Sequence, residues 1–532
     1  MAHISRRAFV GAVGAMTGYG LMSPASAVTE AELFPTAKTT HGQVRGMTSA
    51  GVAFFKGIPY GAPTGGKNRW MAPKPAAAWK GVRDCFDYGE AAPQVLADRT
   101  AESSMLIQWD RHIFGMGENC LHLNVWTPGV DNKARPVMVW FHGGGYTSGS
   151  GNAARVDGDP LARFGDVVVV TVNHRLGSFG YLNLQDIGGG EKFANAGSVG
   201  LMDLVQSLEW VKANIANFGG DPGKVMIFGQ SGGGAKVSSV LAMPSGAGLY
   251  HRASVISGSS LRAQDREAAA RTAKRVMETL GVTRVEQMQD APWTKVLAAQ
   301  ATVPGAYSPV MNEQSALPRH PFDPDAPAAS RTVPMMISTT LDDNGAGRAN
   351  EAPSEIEMFN TLKQSMGDRA QGIYDAYKAY YPELPTRLLN ARMLTDRGRW
   401  NSYRQADRKT AQGGAAAWYY LIEFIAQGRG GRFGAVHGVD VPLMFHNPRD
   451  AQVGGWTDEG QMMADRVASA YVAFARNGDP NNAAIPSWPK WNSDTRPMMV
   501  FDINTRAEAN YRKKLMDLWA AAPPPGAGAA GQ

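Results

Sequence analysis

Residues 224–236 read K-V-M-I-F-G-Q-S-G-G-G-A-K, an apolar run broken by glycine around a single serine. Val225, Met226, Ile227 and Phe228 suit a buried strand, and residues 235–241 (A-K-V-S-S-V-L) suit the start of a helix. Between them Gly229-Gln230-Ser231-Gly232-Gly233 spells G-x-S-x-G. Flanking glycines let a chain turn sharply without Cβ clashes, so the Ser231 hydroxyl is expected above a sheet edge at a helix N-terminus, as a nucleophile. In a chain with 61 glycines the bare spacing also fits an incidental turn. The strand-turn-helix setting is what favours the nucleophile. A phosphate cradle would need G-x-x-x-x-G-K-[ST], which this stretch lacks.

Upstream, residues 137–141 (V-M-V-W-F) form an apolar strand candidate that runs into His142-Gly143-Gly144-Gly145-Tyr146. Three glycines after a buried strand are unfavourable unless the backbone must be approached closely. Their expected use is to aim the N–H groups of Gly144 and Gly145, together with that of Gly232, at a developing oxyanion. Residues 166–172 (D-V-V-V-V-T-V) make another buried strand, and Leu201, Leu204, Val205, Leu208, Val211 and Ile215 recur at helical spacing before the next strand. Strands with an intervening helix predict an α/β protein with a mostly parallel, helix-flanked sheet. Residues 42–46 and 52–60 are expected to pair as an N-terminal antiparallel hairpin, and 61–79 to form an ordered loop around Trp70.

These stretches, taken together, resemble the type B carboxylesterases, the cholinesterase-like family of the α/β-hydrolase fold. The matching residues are Gly57 to Tyr60, Glu118 to Asn124 (E-N-C-L-H-L-N), the H-G-G-G loop, Asn173 to Gly177, Phe218 to Pro222, the serine elbow, Phe474 to Asn481 and Trp488-Pro489. The resemblance spans roughly residues 35 to 503 and implies one large domain, over 28–522, with a large central sheet and helical insertions around the site. It implies a serine carboxylesterase working through a triad and an acyl-enzyme, without metal or cofactor. It also implies a Cys85–Cys120 disulfide and structural ion pairs Arg69–Glu118 and Arg175–Asp203. The elbow departs from the family's usual G-E-S-A-G by carrying Gln230 and Gly232.

Chain order in such hydrolases is serine, acid, histidine. Four of the ten histidines follow Ser231: His251, His320, His437 and His446. His437 lies in a glycine-rich loop beyond a strand-like run, and His437-Gly438-Val439-Asp440 matches the family pattern H-G-x-[DE], so His437 is the expected base. The acid should follow the strand at 333–340. Counting from Thr339-Thr340 selects Asp343, whereas counting back from Gly345 selects Asn344, which supplies no negative charge; Asp343 is the expected acid, with Asp342 as the alternative carboxylate. Either carboxylate could hold an imidazole through Nδ1–H. The same machinery would serve amides, carbamates or lactones. A non-catalytic binding protein would lack the serine or histidine that this chain retains.

The remaining features bound the setting. A formal charge of +6 over 532 residues, with no basic run, excludes a nucleic-acid footprint. Ser5-Arg6-Arg7 ahead of a small-and-apolar stretch, then Pro24-Ala25-Ser26-Ala27, reads as a twin-arginine signal over 1–27, with a periplasmic or secreted product. That stretch is shorter than the roughly 20 apolar residues that span a bilayer, so no membrane insertion is expected. In an oxidising compartment Cys85 and Cys120 are expected to bridge, worth about 4 kcal/mol, the alternative being two buried thiols. No Cys/His cluster has metal-ligand spacing. The expected partner is a small-molecule ester. Residues 523–532 (P-P-G-A-G-A-A-G-Q after Pro523) read as a disordered tail.

Overall fold

Runs of valine and other apolar residues in mid-chain become strands covered on both faces. The computed structural model describes residues 29–96, 115–344, 353–425, 427–450, 455 and 457–520, so the expected signal and tail lie outside the described residues. The larger sheet is built from β3 (Met47–Ser49), β4 (Val52–Pro59), β6 (His122–Thr127), β7 (Arg135–Phe141), β8 (Val168–Val172), β9 (Gly220–Gln230), β10 (Arg252–Ile256), β11 (Met335–Thr340), β12 (Ala417–Ile422), β13 (Met498–Phe501) and β14 (Arg506–Glu508). Their order across the sheet is β14-β13-β12-β11-β10-β9-β7-β8-β6-β4-β3. From β8 through β13 every neighbouring pair is parallel. Antiparallel pairs close both ends.

Because side chains alternate across a strand, each central strand feeds two cores. Val137, Val139, Val225, Ile227, Met335 and Ile337 enter one cluster, with Leu204 and Leu208 of α1 (Val199–Asn214) and Val237 and Val240 of α2 (Gly232–Leu241). Met138, Trp140, Met226, Phe228 and Met336 enter the other, with Leu443 of α3 (Asp440–Met444) and Val467 and Phe474 of α4 (Asp458–Asn477). Both sides of the sheet are therefore dry, which fixes the strand ends that carry the site.

Three expectations change. Residues 42–46 and 52–60 do not pair with each other: β2 (Gly42–Arg45) pairs with β1 (Thr36–Thr39) and β5 (Val82–Asp84), and β4 pairs with β3. Gly46 separates the two hairpins, since a Cβ there would meet the Phe54 carbonyl at 2.3 Å. The elbow helix starts at Gly232 rather than at 235, so the glycine run is itself helical. No bridge joins Cys85 and Cys120; both are free and buried within the same core cluster, where a thiol packs as a small apolar group. Burial pushes the Cys85 thiol up to about 12 and that of Cys120 higher still, which keeps both protonated.

Buried ion pairs hold the loops around the sheet. Arg175, just past β8, donates to Asp203 of α1 from Nε at 2.8 Å and Nη2 at 2.5 Å, with both residues buried. Arg69 reaches Glu118 at 2.5 and 2.6 Å. Removing one member of such a pair strands the other, at roughly 3–5 kcal/mol.

Candidate active site

The chain turns sharply at the end of β9. Ser231 adopts φ 60° and ψ −125° as the N-cap of α2, a conformation that a side chain bears only under constraint. The constraint is close packing of glycines. A Cβ on Gly233 would lie 2.1 Å from the Phe141 carbonyl, and one on Gly229 would lie 2.5 Å from the Gly233 backbone. The Ser231 N–H donates to Ile256 O at 2.8 Å, which ties the elbow to the end of β10. The serine thus stands at the carboxyl ends of parallel strands and at a helix N-terminus.

The glycine loop after β7 lies against this elbow. Gly144 and Gly145 take φ 90° and 61°. A Cβ on Gly232 would meet the Gly145 oxygen at 2.0 Å and its carbonyl carbon and Cα at 2.4 Å. The loop carbonyls are engaged elsewhere. Lys236 Nζ donates to His142 O at 3.0 Å, His142 Nδ1 lies 2.8 Å from Gly143 O, and the Ser148 N–H and hydroxyl both donate to Gly144 O at 3.1 Å. Among the described residues no acceptor is found for the N–H groups of Gly144, Gly145 or Gly232. Three amides so disposed could bind an oxyanion. Beside the loop, a cavity of about 500 Å³ is lined by Val95, Thr147, Val303 and Tyr307, among others.

His437 and Asp343 come together across the strand ends. His437 Nδ1 pairs with Asp343 Oδ1 at the end of β11, with the carboxylate nearly buried. Gln230, the residue before the serine, brings its amide nitrogen to 3.1 Å from His437 Nε2, so the imidazole overlies the elbow. Asp342 faces the opposite way. It is fully buried, pairs with Arg392 at 3.0 Å, accepts from the Ala435 N–H at 2.8 Å and bridges to Val436. Asp342 therefore pins the loop that carries His437. Burial raises its carboxyl above the ordinary range, and Arg392 opposes that shift.

The other histidines after the serine have separate jobs. His251 accepts the Val225 N–H, His320 accepts the Ala263 N–H, and His446 pairs with Asp465 at 2.7 Å under a stacked Phe164 ring. Sequence reasoning missed two residues. Asp440 starts α3 and is fully buried near His437; burial, and then the Asp343 charge, push its carboxyl up to about 7. The H-G-x-[DE] pattern marked its position without a role. Lys236, three residues beyond G-x-S-x-G, is also fully buried, and a lysine in an otherwise apolar and small-residue helix was the available signal. The described residues hold no group of three or more His, Cys, Asp or Glu arranged for a metal. None of the described helices is long and apolar enough to cross a membrane.

The carboxylesterase family model matches residues 34–519. Among curated proteins the chain is 30% identical to the para-nitrobenzyl esterase of Bacillus subtilis over 504 residues, covering 90% of this chain and 97% of that protein. It is 31% identical to the phenmedipham hydrolase of Pseudarthrobacter oxydans, covering 88% of this chain and 94% of that protein. Among solved structures, a carboxylesterase of Geobacillus stearothermophilus superposes with a TM-score of 0.79 at 32% identity, covering 91% of this chain and 99% of that one.

Proposed function

As a member of the carboxylesterase family, the chain is a serine ester hydrolase with the α/β-hydrolase fold, and we propose that Ser231, His437 and Asp343 are its catalytic triad. The observation that carries this is the His437 imidazole, paired through Nδ1 with Asp343 and lying over the Gln230-Ser231 elbow. Ser231 Oγ attacks the ester carbonyl carbon while His437 Nε2 takes its proton. The carbonyl π electrons move to oxygen, and the N–H groups of Gly144, Gly145 and Gly232 hold that oxyanion. Collapse expels the alkoxide, which takes the proton from Nε2 and leaves as the alcohol. Water, deprotonated by His437, then attacks the acyl-serine, and the proton returns to Ser231 as the acid departs. Asp343 holds the imidazole in the tautomer with Nδ1 protonated and stabilises the imidazolium.

The substrate is a small carboxylic ester without a cationic alcohol, because Gln230 supplies an amide where a carboxylate would attract positive charge. Para-nitrobenzyl esters and phenmedipham are suitable trial substrates, since two relatives carry their names. The test is hydrolysis of an aryl acetate by Ser231→Ala and His437→Ala. Each is expected to lose about 10⁴-fold or more in kcat. Full activity in either ends the triad assignment, and failure of an organophosphate to label the wild-type serine would favour a binding protein.

Residues 1–27, with Arg6-Arg7 and the A-S-A end, support export of the folded enzyme by a twin-arginine route. Recovery of a periplasmic product beginning at Val28 is the expected result; an intact N-terminus in the cytosol refutes it.

A further inference from the structure

One turn beyond the elbow, α2 carries a charge that the reaction scheme does not use. Lys236 is fully buried, and its Nζ donates to the His142 carbonyl, at the first residue of the glycine loop. The same ammonium lies 5.7 Å from the ring centroid of Tyr146, at the last residue of that loop. Tyr146 is itself anchored: its carbonyl accepts the Gly177 N–H at 2.7 Å and its ring packs edge-on against Tyr181 at 5.1 Å. One side chain therefore brackets both ends of the segment that presents Gly144 and Gly145.

Among the described residues no carboxylate lies within ion-pair range of Lys236. The titratable groups around it are the buried His142 and His174, whose rings lie 4.6 Å apart, and Tyr146. Burial lowers the lysine to about 7, and burial followed by the Lys236 charge holds both histidines well below their ordinary value, hence neutral. A buried ammonium without a counter-charge is destabilising, and an unbranched apolar side chain of similar length would fill the same space without that penalty. The remaining distinctive feature of the position is its bond to the loop. The peptide plane at His142 sets the direction of the chain into Gly143, and the planes after it are held in turn by the His142 ring at Gly143 O and by Ser148 at Gly144 O.

We propose that Lys236 is a positioning residue for the oxyanion loop: its bond to His142 O, with the Tyr146 ring beside it, fixes the His142–Gly143 peptide plane, the first in the series whose next members turn the Gly144 and Gly145 N–H groups toward the reacting oxygen. The inference rests on the triad reading given above. It predicts an effect on the transition state rather than on substrate binding, since the loop amides meet full negative charge only there.

The experiment compares Lys236→Met, Lys236→Ser and Lys236→Gln with wild type and with Ser231→Ala. Steady-state hydrolysis of para-nitrophenyl acetate is measured alongside inhibition by an aryl trifluoromethyl ketone, whose serine adduct carries an oxyanion. Lys236→Met is expected to fold with an unchanged or higher melting temperature, because the uncompensated charge is gone. Its kcat is expected to fall about 10- to 100-fold with KM within about threefold, and its ketone affinity to weaken by a similar factor. Lys236→Gln, which can keep an N–H on His142 O, should recover part of both losses. Wild-type kcat and ketone affinity in a folded Lys236→Met or Lys236→Ser would overturn the proposal. Failure of both to fold would overturn it too, in favour of a purely structural lysine. Activity surviving in Ser231→Ala would instead strike the nucleophile assignment.

Discussion

Gly232 is the position where a single added carbon tests the geometry of the oxyanion site most directly. A Cβ there would sit 2.0 Å from the Gly145 oxygen, whereas ordinary contact begins near 3.4 Å, so the loop or the elbow must yield by about 1.4 Å. The elbow cannot easily yield, because Gly233 is already pressed to within 2.1 Å of Phe141 O by the same measure and Ser231 N is tied to Ile256 O. The loop therefore withdraws and takes the Gly145 amide with it. Losing one oxyanion donor typically costs about 10²–10³ in kcat, on the order of 3–4 kcal/mol, and a 1 Å displacement is enough to do so. Folding pulls the other way, since alanine in a helical turn is worth up to about 1 kcal/mol over glycine. Gly232→Ala is thus expected to lose about 100-fold or more in kcat with KM nearly unchanged and with no large fall in melting temperature. Para-nitrophenyl acetate kinetics and thermal unfolding measure both. A folded variant with kcat within threefold of wild type would show that the Gly145 backbone does not occupy that space during the reaction.

Other substitutions separate roles that lie side by side. Asp343→Asn should drop kcat about 10⁴-fold at nearly constant stability, whereas Asp342→Asn should lower stability by roughly 3 kcal/mol by stranding Arg392, with a smaller loss of kcat in the protein that remains folded; the reverse pattern in kinetics and denaturant unfolding would exchange the two residues. In Gln230→Glu, an ionised carboxylate beside the imidazole favours the imidazolium by at least about 1 kcal/mol, so the acid limb of kcat/KM should move up by about one pH unit and a cationic ester should gain about fivefold over its neutral isostere; an unmoved pH profile refutes the contact. Asp440 has a folded pKa raised by burial to about 7, so its contribution to stability is fully present below about pH 4 and is lost as pH rises through 7. Asp440→Asn should therefore melt later than wild type at pH 8 and much as wild type does near pH 4, and equal melting temperatures at pH 8 would contradict that sign.

The parallel block was legible because residues 137–141, 167–170 and 225–228 are apolar without a break, which only strands covered on both faces require. The glycines at 144, 145 and 232 could be read as close-approach positions from their setting after strands. The N-terminal pairing was not legible, because period-two alternation in 42–46 and 52–60 says that each is a strand but not which neighbour it takes; that depends on the bend at Gly46 and on β5, far along the chain. The divergence of Asp342 and Asp343 has the same origin. Two adjacent carboxylates point to opposite sides, and the deciding contact is the bridge of Asp342 to Val436, roughly 90 residues away. The cysteines were not legible for a different reason: a compartment favours a bond only between thiols that the fold brings together, and here both pack as apolar filling.

Taken together, the charges around the elbow follow one pattern. A triad works through a transient imidazolium, and each fixed anion nearby makes that cation more stable in the resting enzyme as well as in the transition state, which removes free base at neutral pH. Among the described residues the charges beside His437 are arranged to limit this effect. Gln230 is an amide, Asp440 keeps its proton up to about pH 7 under the influence of burial and of Asp343, and Asp342 is turned away onto Arg392. On the far side of the elbow His142 and His174 are held neutral, and Lys236 bonds to the loop and not, among the described residues, to a carboxylate. Asp343 is thus the carboxylate that pairs with His437 among the described residues. On the proposed mechanism, in which backbone amides polarise the ester, neutral esters are the substrates such a field discriminates against least.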